Sequence, residues 1–159
     1  MEDQSFDKIY EQYGKMLYRT AFLYLGNADD TEDILQEVFT KYLTARPEFN
    51  GSDHERAWLL LVTRNACRNF VKKSRKGNVS LEEYDAPAYS ADRDERLDIL
   101  RKVTALPPKY KEVIILFYYN GLTIEEIGAL LGLSRSAVKM RLKRGKEKLK
   151  ISLEGYDRE

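Results

Sequence analysis

Apolar positions in this chain return at steps of three and four and nowhere alternate for long at two, so an all-α protein is expected. Phe6, Ile9, Tyr10, Tyr13, Leu17, Ala21 and Tyr24 form the apolar stripe of a first helix that stops near Gly26-Asn27. A second helix should begin among Asp29, Asp30 and Thr31, where carboxylates suit the positive end of the helix dipole. Ile34, Leu35, Val38, Phe39, Tyr42 and Leu43 give it a wide apolar face, and Pro47 closes it. Glu48 to Gly51 read as a turn. Ser52 and Glu55 have capping-box spacing and open a third helix that runs through Trp58 toward Lys76. Trp58 reads as core, since Leu59, Leu60, Leu61 and Val62 follow it in one apolar run.

The pattern dissolves from Gly77 to Arg96, GNVSLEEYDAPAYSADRDER, which is polar, acidic and broken by Pro87. Such a stretch reads as a flexible linker. Periodicity resumes with Leu97, Leu100, Val103 and Leu106, is stopped by Pro107-Pro108, and continues in Val113, Ile114, Leu116, Phe117 and Tyr118. Pro108 suits the first turn of the helix it opens. The expected fold is two small helical domains, 1–76 and 97–159, joined by a flexible acidic linker at 77–96.

The second domain ends in TIEEIGALLGLSRSAVKMRLKRGKEKLK, residues 123–150. Thr123 and Glu126 have capping-box spacing. Ile124, Ile127, Leu130 and Leu131 make one face of a short helix, and Gly132 stands where a left-handed residue ends it. Ser134 can cap a following helix, which Val138 and Leu142 would pack on the first. Its other positions hold Arg135, Lys139, Arg141, Lys143, Arg144, Lys146, Lys148 and Lys150, opposed by Glu147. A run of cations alone usually marks a solvated helix end, but the caps and the glycine turn specify a helix-turn-helix. That motif lays its second helix in a DNA major groove.

Charge changes the picture further. The chain of 159 residues carries +1 overall, yet residues 134–150 hold eight cations and one anion. Residues 64–76 hold six cations and no anion, which leaves −12 for everything else. Two basic stretches in an acidic chain point to two nucleic-acid contacts. No apolar run approaches the roughly 20 residues that cross a bilayer, and the N-terminal residues lack signal-peptide order, so a cytoplasmic protein is expected. Cys67, the single cysteine, reads as a packing residue. His54, the single histidine, lies thirteen residues from it without metal-ligand or triad spacing. No glycine-rich phosphate loop is present, so no catalysis, cofactor, metal or small-molecule substrate is expected.

Four stretches taken in order carry more than a generic DNA reader: DDTEDILQEVFTKYL (29–43), RAWLLLVTRNACRNFVKKSR (56–75), ALPPKYKEVIILFYYNGLT (105–123) and the helix-turn-helix. With them the chain resembles the bacterial extracytoplasmic-function sigma factors of RNA polymerase. The helix-turn-helix alone is unspecific; the acidic helix, the WL…RN segment and the LP…helix-turn-helix in this order are much more so.

The resemblance implies roles. Asp33, Gln36, Glu37 and Thr40, on one helix face, would dock on core RNA polymerase. The third helix would read the minus-10 promoter element, with Arg64, Arg68, Lys72 and Lys73 on phosphates and Asn65 and Asn69 on base edges. The loop Phe49, Asn50, Gly51 and Ser52 would help hold a base flipped from the non-template strand, with Phe49 or Trp58 a candidate to stack on it. In the minus-35 element, Ser136, Lys139, Met140, Lys143 and Arg144 would enter the groove, with Arg135 and Arg141 on phosphates. Twenty linker residues reach about 66–72 Å when extended, against about 58 Å for some 17 base pairs. Expected partners are core RNA polymerase, promoter DNA and an anti-sigma factor, which is often membrane-bound in this family, and the free chain should be a monomer.

The chain departs from the family at Ser136-Ala137 (usually Gly-Thr), Asn69 (commonly Asp), Gly128 (usually Ala) and Gly145, where a helix former is expected. Two other readings compete. A homodimeric helix-turn-helix regulator would bind paired half-sites without polymerase; a pure interaction protein would not need two basic segments.

Overall fold

The structure, a computed structural model, describes residues 2–76 and 95–149, with side chains from 6 to 74 and from 99 to 149. Most of the expected linker (77–94) and Lys150 onward lie outside the described residues, as do the side chains of Arg75, Lys76 and Leu97. Every regular element among the described residues is helical. The chain divides into two compact units, Met1–Asp85 and Ala86–Glu159.

In the first unit α1 (Glu2–Leu25), α2 (Ala28–Ala45) and α3 (Ser52–Lys76) each pack on the other two. Leu17, Ala21, Leu25, Val38, Leu59, Leu60 and Cys67 are fully shut off from solvent at their shared centre. Three threonines enter this core by satisfying their hydroxyls one turn back. Thr20 donates to the Met16 carbonyl at 2.8 Å, Thr31 to Asn27 at 2.6 Å and Thr63 to Leu59 at 2.8 Å.

Several boundaries differ from the sequence reading. α2 starts earlier, because Asn27 caps it: its Oδ1 accepts from the Asp30 amide at 2.9 Å and its Nδ2 donates to the Asp30 carboxylate at 2.7 Å. The helix ends before Pro47, with Arg46 in the left-handed region (φ 45°) and its N–H on the Tyr42 carbonyl. The capping box expected of Ser52 and Glu55 does not form. Glu55 instead accepts from the Tyr13 hydroxyl at 2.8 Å and the Tyr42 hydroxyl at 2.7 Å, tying α1 and α2 to the start of α3. Phe6 and Tyr10 belong to the apolar stripe yet remain 37% and 52% exposed, stacked on each other and leaning on Phe39. Trp58 is half-buried rather than core, since the helix turns Leu59 and Leu60 inward in its place.

The second unit runs α4 (Glu95–Ala105), α5 (Pro108–Ile114), a π-helical turn (Ile115–Tyr119), α6 (Ile124–Leu131) and α7 (Arg135–Leu149). Pro108 takes the first position of α5, as its missing N–H and fixed φ favour. Val103, Val113, Ile114, Ile115, Leu116, Ile127 and Val138 are fully buried. The π turn closes with the Asn120 amide on the Ile115 carbonyl at 3.0 Å, and Gly121 (φ 70°) then redirects the chain into α6. Gly145 is where α7 touches α5: a Cβ there would lie 3.0 Å from Cγ1 of Ile114. A residue that costs helix propensity therefore permits a close helix crossing, which local sequence reading scores as a defect.

Candidate nucleic-acid interface

The helix-turn-helix is built by its own local bonds. Thr123 Oγ1 accepts from the Glu126 amide at 3.1 Å while Glu126 accepts from the Thr123 amide at 2.9 Å, completing the capping box. Gly132 ends α6 at φ 70°, ψ 38°, and the Leu133 amide returns to the Gly128 carbonyl at 2.9 Å. The return is tight enough that a Cβ on Gly128 would meet the Leu133 carbonyl oxygen at 2.7 Å. Ser134 then caps α7, accepting from the Ala137 amide at 3.1 Å. Val138, Leu142, Gly145 and Leu149 face inward, which turns Ser136, Met140 and Lys143 to the opposite side, flanked by Lys139 and Arg144. All five are exposed, Met140 to 53%. Met140 offers apolar contact, Ser136 a hydroxyl, and Lys139, Lys143 and Arg144 charge.

The other cations of α7 are partly engaged within the unit. Arg135 forms an ion pair with Glu125 of α6. Arg141 is turned inward, its guanidinium 3.7 Å from the carboxylate of the buried Glu112. The Arg144 guanidinium beside the Tyr110 hydroxyl, together with Lys109, holds that phenol below its ordinary pKa. Lys146 and Lys148 lie over the rings of Tyr118 and Tyr110 at 6.0 and 5.7 Å. Glu112, Glu125 and Tyr110 thus shape the cationic helix, and sequence reading did not single them out. Glu147 also lies on the outward face, one turn from Lys143.

On α3 the inward residues Leu59, Leu60, Thr63 and Cys67 fix the opposite face. Asn65, Asn69 and Lys72 share that outer face and are exposed, as is Lys73 to one side. Arg64 and Arg68 are half-buried along its edge, and Arg64 donates to the Asn65 side chain at 2.8 Å. Trp58 stands two turns before Asn65 on the same side.

The loop before α3 closes over a cluster of rings. Phe49 stacks on Tyr42 (centroids 6.1 Å apart) and meets Trp58 (5.7 Å) and His54 (5.3 Å) edge-on. Tyr42 also meets Trp58 edge-on at 5.9 Å. Asn50 and Ser52 are exposed, and Gly51 (φ 102°) makes the turn between them. Phe49 and Trp58 are therefore engaged with neighbours rather than presented singly for stacking. On α2, Asp33, Gln36, Glu37 and Thr40 are all exposed, opposite the buried Thr31, Ile34, Leu35, Val38 and Phe39.

The phenols of Tyr13 and Tyr42 are each pushed up to about 12, first by burial and then by donating to the Glu55 carboxylate, which disfavours a second negative charge. Among the described residues no cluster of histidine, cysteine or carboxylate side chains could hold a metal ion, and no helix is long and apolar enough to cross a membrane.

A capped helix-turn-helix with a cationic outer helix, on a chain with a second cationic helix in a separate unit, defines a helical DNA-binding protein with two candidate reading elements. Comparison with known proteins gives the family. Residues 9–77 match the Sigma-70 region 2 family and residues 96–149 the Sigma-70, region 4 family. The chain is 32% identical over 125 residues to the RNA polymerase sigma factor CarQ of Myxococcus xanthus, covering 75% of this chain and 72% of that one. It is 30% identical over 167 residues to the ECF RNA polymerase sigma factor SigE of Mycolicibacterium smegmatis, covering 98% of this chain but 64% of that protein's length. The fold is that of the sigma factor RpoE of Bartonella quintana, solved with the anti-sigma factor NepR (TM-score 0.70, 23% identity, 98% and 99% of the two chains covered). It also matches CnrH, solved with the cytosolic domain of CnrY (TM-score 0.69, 24% identity, 98% and 90% covered). The chain belongs to the extracytoplasmic-function sigma factors of RNA polymerase.

Proposed function

We propose that this chain is a promoter-specificity subunit that binds core RNA polymerase, directs it to promoters and assists strand opening. In this reading Asp33, Gln36, Glu37 and Thr40 contact the polymerase. α3 with the 49–52 loop engages the minus-10 element, and α7 reads the minus-35 element through Ser136, Lys139, Met140, Lys143 and Arg144. Arg135 and Arg141 contribute to phosphates from the edges of α7, where Arg141 also neutralises Glu112. The observation that carries the proposal is the sidedness of α7: Val138 and Leu142 are buried against the unit while the five groove candidates face out.

A protein of this kind needs no catalytic group of its own, because bond formation belongs to the polymerase. It acts in the cytoplasm, is a monomer when free, and is held inactive by an anti-sigma protein. Support for that partner comes from the two neighbouring folds, both solved with such a partner or with a cytosolic domain seated on them.

The test is run-off transcription by purified core polymerase on a promoter library, with and without the full chain. New start sites that share two upstream motifs are expected. Soluble, folded protein that adds no start sites but binds duplex DNA tightly as a dimer would replace this reading with that of a homodimeric regulator.

A further inference from the structure

His54 has no part in the proposed contacts, yet it is the side chain that fixes the loop before α3. Its Nδ1 accepts from the Asn50 amide at 3.0 Å. The same ring meets Phe49 edge-on at 5.3 Å, and Phe49 is held in turn by Tyr42 and Trp58. Two consecutive loop residues are thus fixed from one position in α3: Phe49 through its ring and Asn50 through its backbone. Gly51, at φ 102° with open space about it, supplies no side-chain restraint of its own.

We infer that His54 is a positioning residue for promoter specificity: by accepting from the Asn50 amide it sets how the exposed Asn50 side chain is presented to a flipped minus-10 base. The inference rests on the proposed role of the 49–52 loop. A loop tip held in one conformation before the base arrives has less freedom to lose on binding and discriminates better between bases. His54 is itself exposed, so its replacement leaves the buried core untouched.

Two substitutions separate its two contacts. His54→Asn keeps an acceptor, since Asn Oδ1 branches from Cγ where Nδ1 does, but loses the ring. His54→Phe keeps a ring against Phe49 and loses the acceptor. The experiment uses holoenzyme assembled from core polymerase and the full chain, on a promoter chosen by the wild type. Each non-template minus-10 position carries in turn the four bases or an abasic site, and Asn50→Ala identifies the position that the loop reads.

At that position His54→Phe should reduce base preference about fivefold, the range of one net hydrogen bond, with transcription from the abasic template unchanged. His54→Asn should retain the preference within about twofold. The inference is overturned if His54→Phe keeps the wild-type preference, if both variants lose it equally, or if either lowers transcription from every template alike. A different result sinks the underlying reading: Asn50→Ala altering preference at no position. The two failures are therefore told apart by the Asn50 variant.

Discussion

The two cationic helices are presented by different means. α7 is held out by bonds that span a few residues: the Thr123–Glu126 box, the Gly132 turn and the Ser134 cap. The start of α3 is held by bonds that span the unit, with Tyr13 reaching Glu55 from 42 positions away and Tyr42 from 13. A cationic helix presented by local bonds can form wherever its short segment folds. One built on Glu55 exists only when α1, α2 and α3 are assembled together. The comparison predicts that single changes in the N-terminal unit disturb the loop at a distance, while changes in the helix-turn-helix stay local.

The sharpest way to break it is Glu55→Ala. Two phenol hydroxyls lose a charged acceptor, and hydrogen bonds to charged groups contribute about 1.5–3 kcal/mol each. A loss of roughly 3 kcal/mol is expected for the first unit. Trp58 is the sole tryptophan of the chain, so its fluorescence in a urea titration reports this unit and not the other. The same contact sets a pH dependence. Folding holds both phenols up to about 12, above the ordinary 10, so it favours the protonated, donating form. This stabilisation is complete below about pH 10 and is lost as pH rises through about 12. The urea midpoint read by Trp58 should fall over that interval. In Tyr13→Phe/Tyr42→Phe it should start lower and fall less; equal slopes in the two proteins would remove Glu55 from its place as the joint of the unit.

Gly128→Ala probes the locally built helix-turn-helix. By helix propensity alone, alanine should stabilise α6 by about 1 kcal/mol. Against this stands the Leu133 carbonyl, 2.7 Å from where the new Cβ would lie. Forced backbone shifts of this kind cost about 1–3 kcal/mol, so a net loss near 1 kcal/mol is expected. Amide hydrogen exchange at Val138 and Leu142 measures it, and slower exchange than in the wild type would contradict the geometry.

The same contrast explains what was legible in the sequence. The capping box, the Gly132 turn, the Ser134 cap and the sidedness of α7 were all readable, because each depends on residues within one or two turns. The exposed face of Asp33, Gln36, Glu37 and Thr40 followed from the same periodicity. Glu55 was misassigned because a cap and a long-range acceptor carry the same residue type, and only packing brings Tyr13 and Tyr42 to it. Trp58 was misplaced because an unbroken apolar run hides which positions a helix turns outward. Gly145 looked like a flaw until Ile114 was seen against it. That Arg141 faces Glu112 and Arg144 faces Tyr110 is hidden for the same reason: both partners come from a different helix.

The smallest expected effect concerns the ion pair of Arg135 and Glu125, and it sharpens the comparison from the other side. Their side chains are 62% and 60% exposed, so solvent screens the pair and its removal should change stability by less than about 1 kcal/mol. DNA binding should respond more clearly. Each phosphate neutralised by a cation releases counterions and steepens the dependence of log K on log salt by about 0.9. Glu125→Gln leaves Arg135 without its anionic neighbour, so promoter affinity of the holoenzyme should rise modestly at low salt. Arg135→Ala should flatten the salt slope by about 0.9 if the guanidinium reaches a phosphate. An unchanged slope in Arg135→Ala, with unchanged folding, would assign Arg135 to bridging α6 and α7. The contacts of α7 would then narrow to Ser136, Lys139, Met140, Lys143 and Arg144, the residues its buried face already selects, with Arg141 alone at the edge.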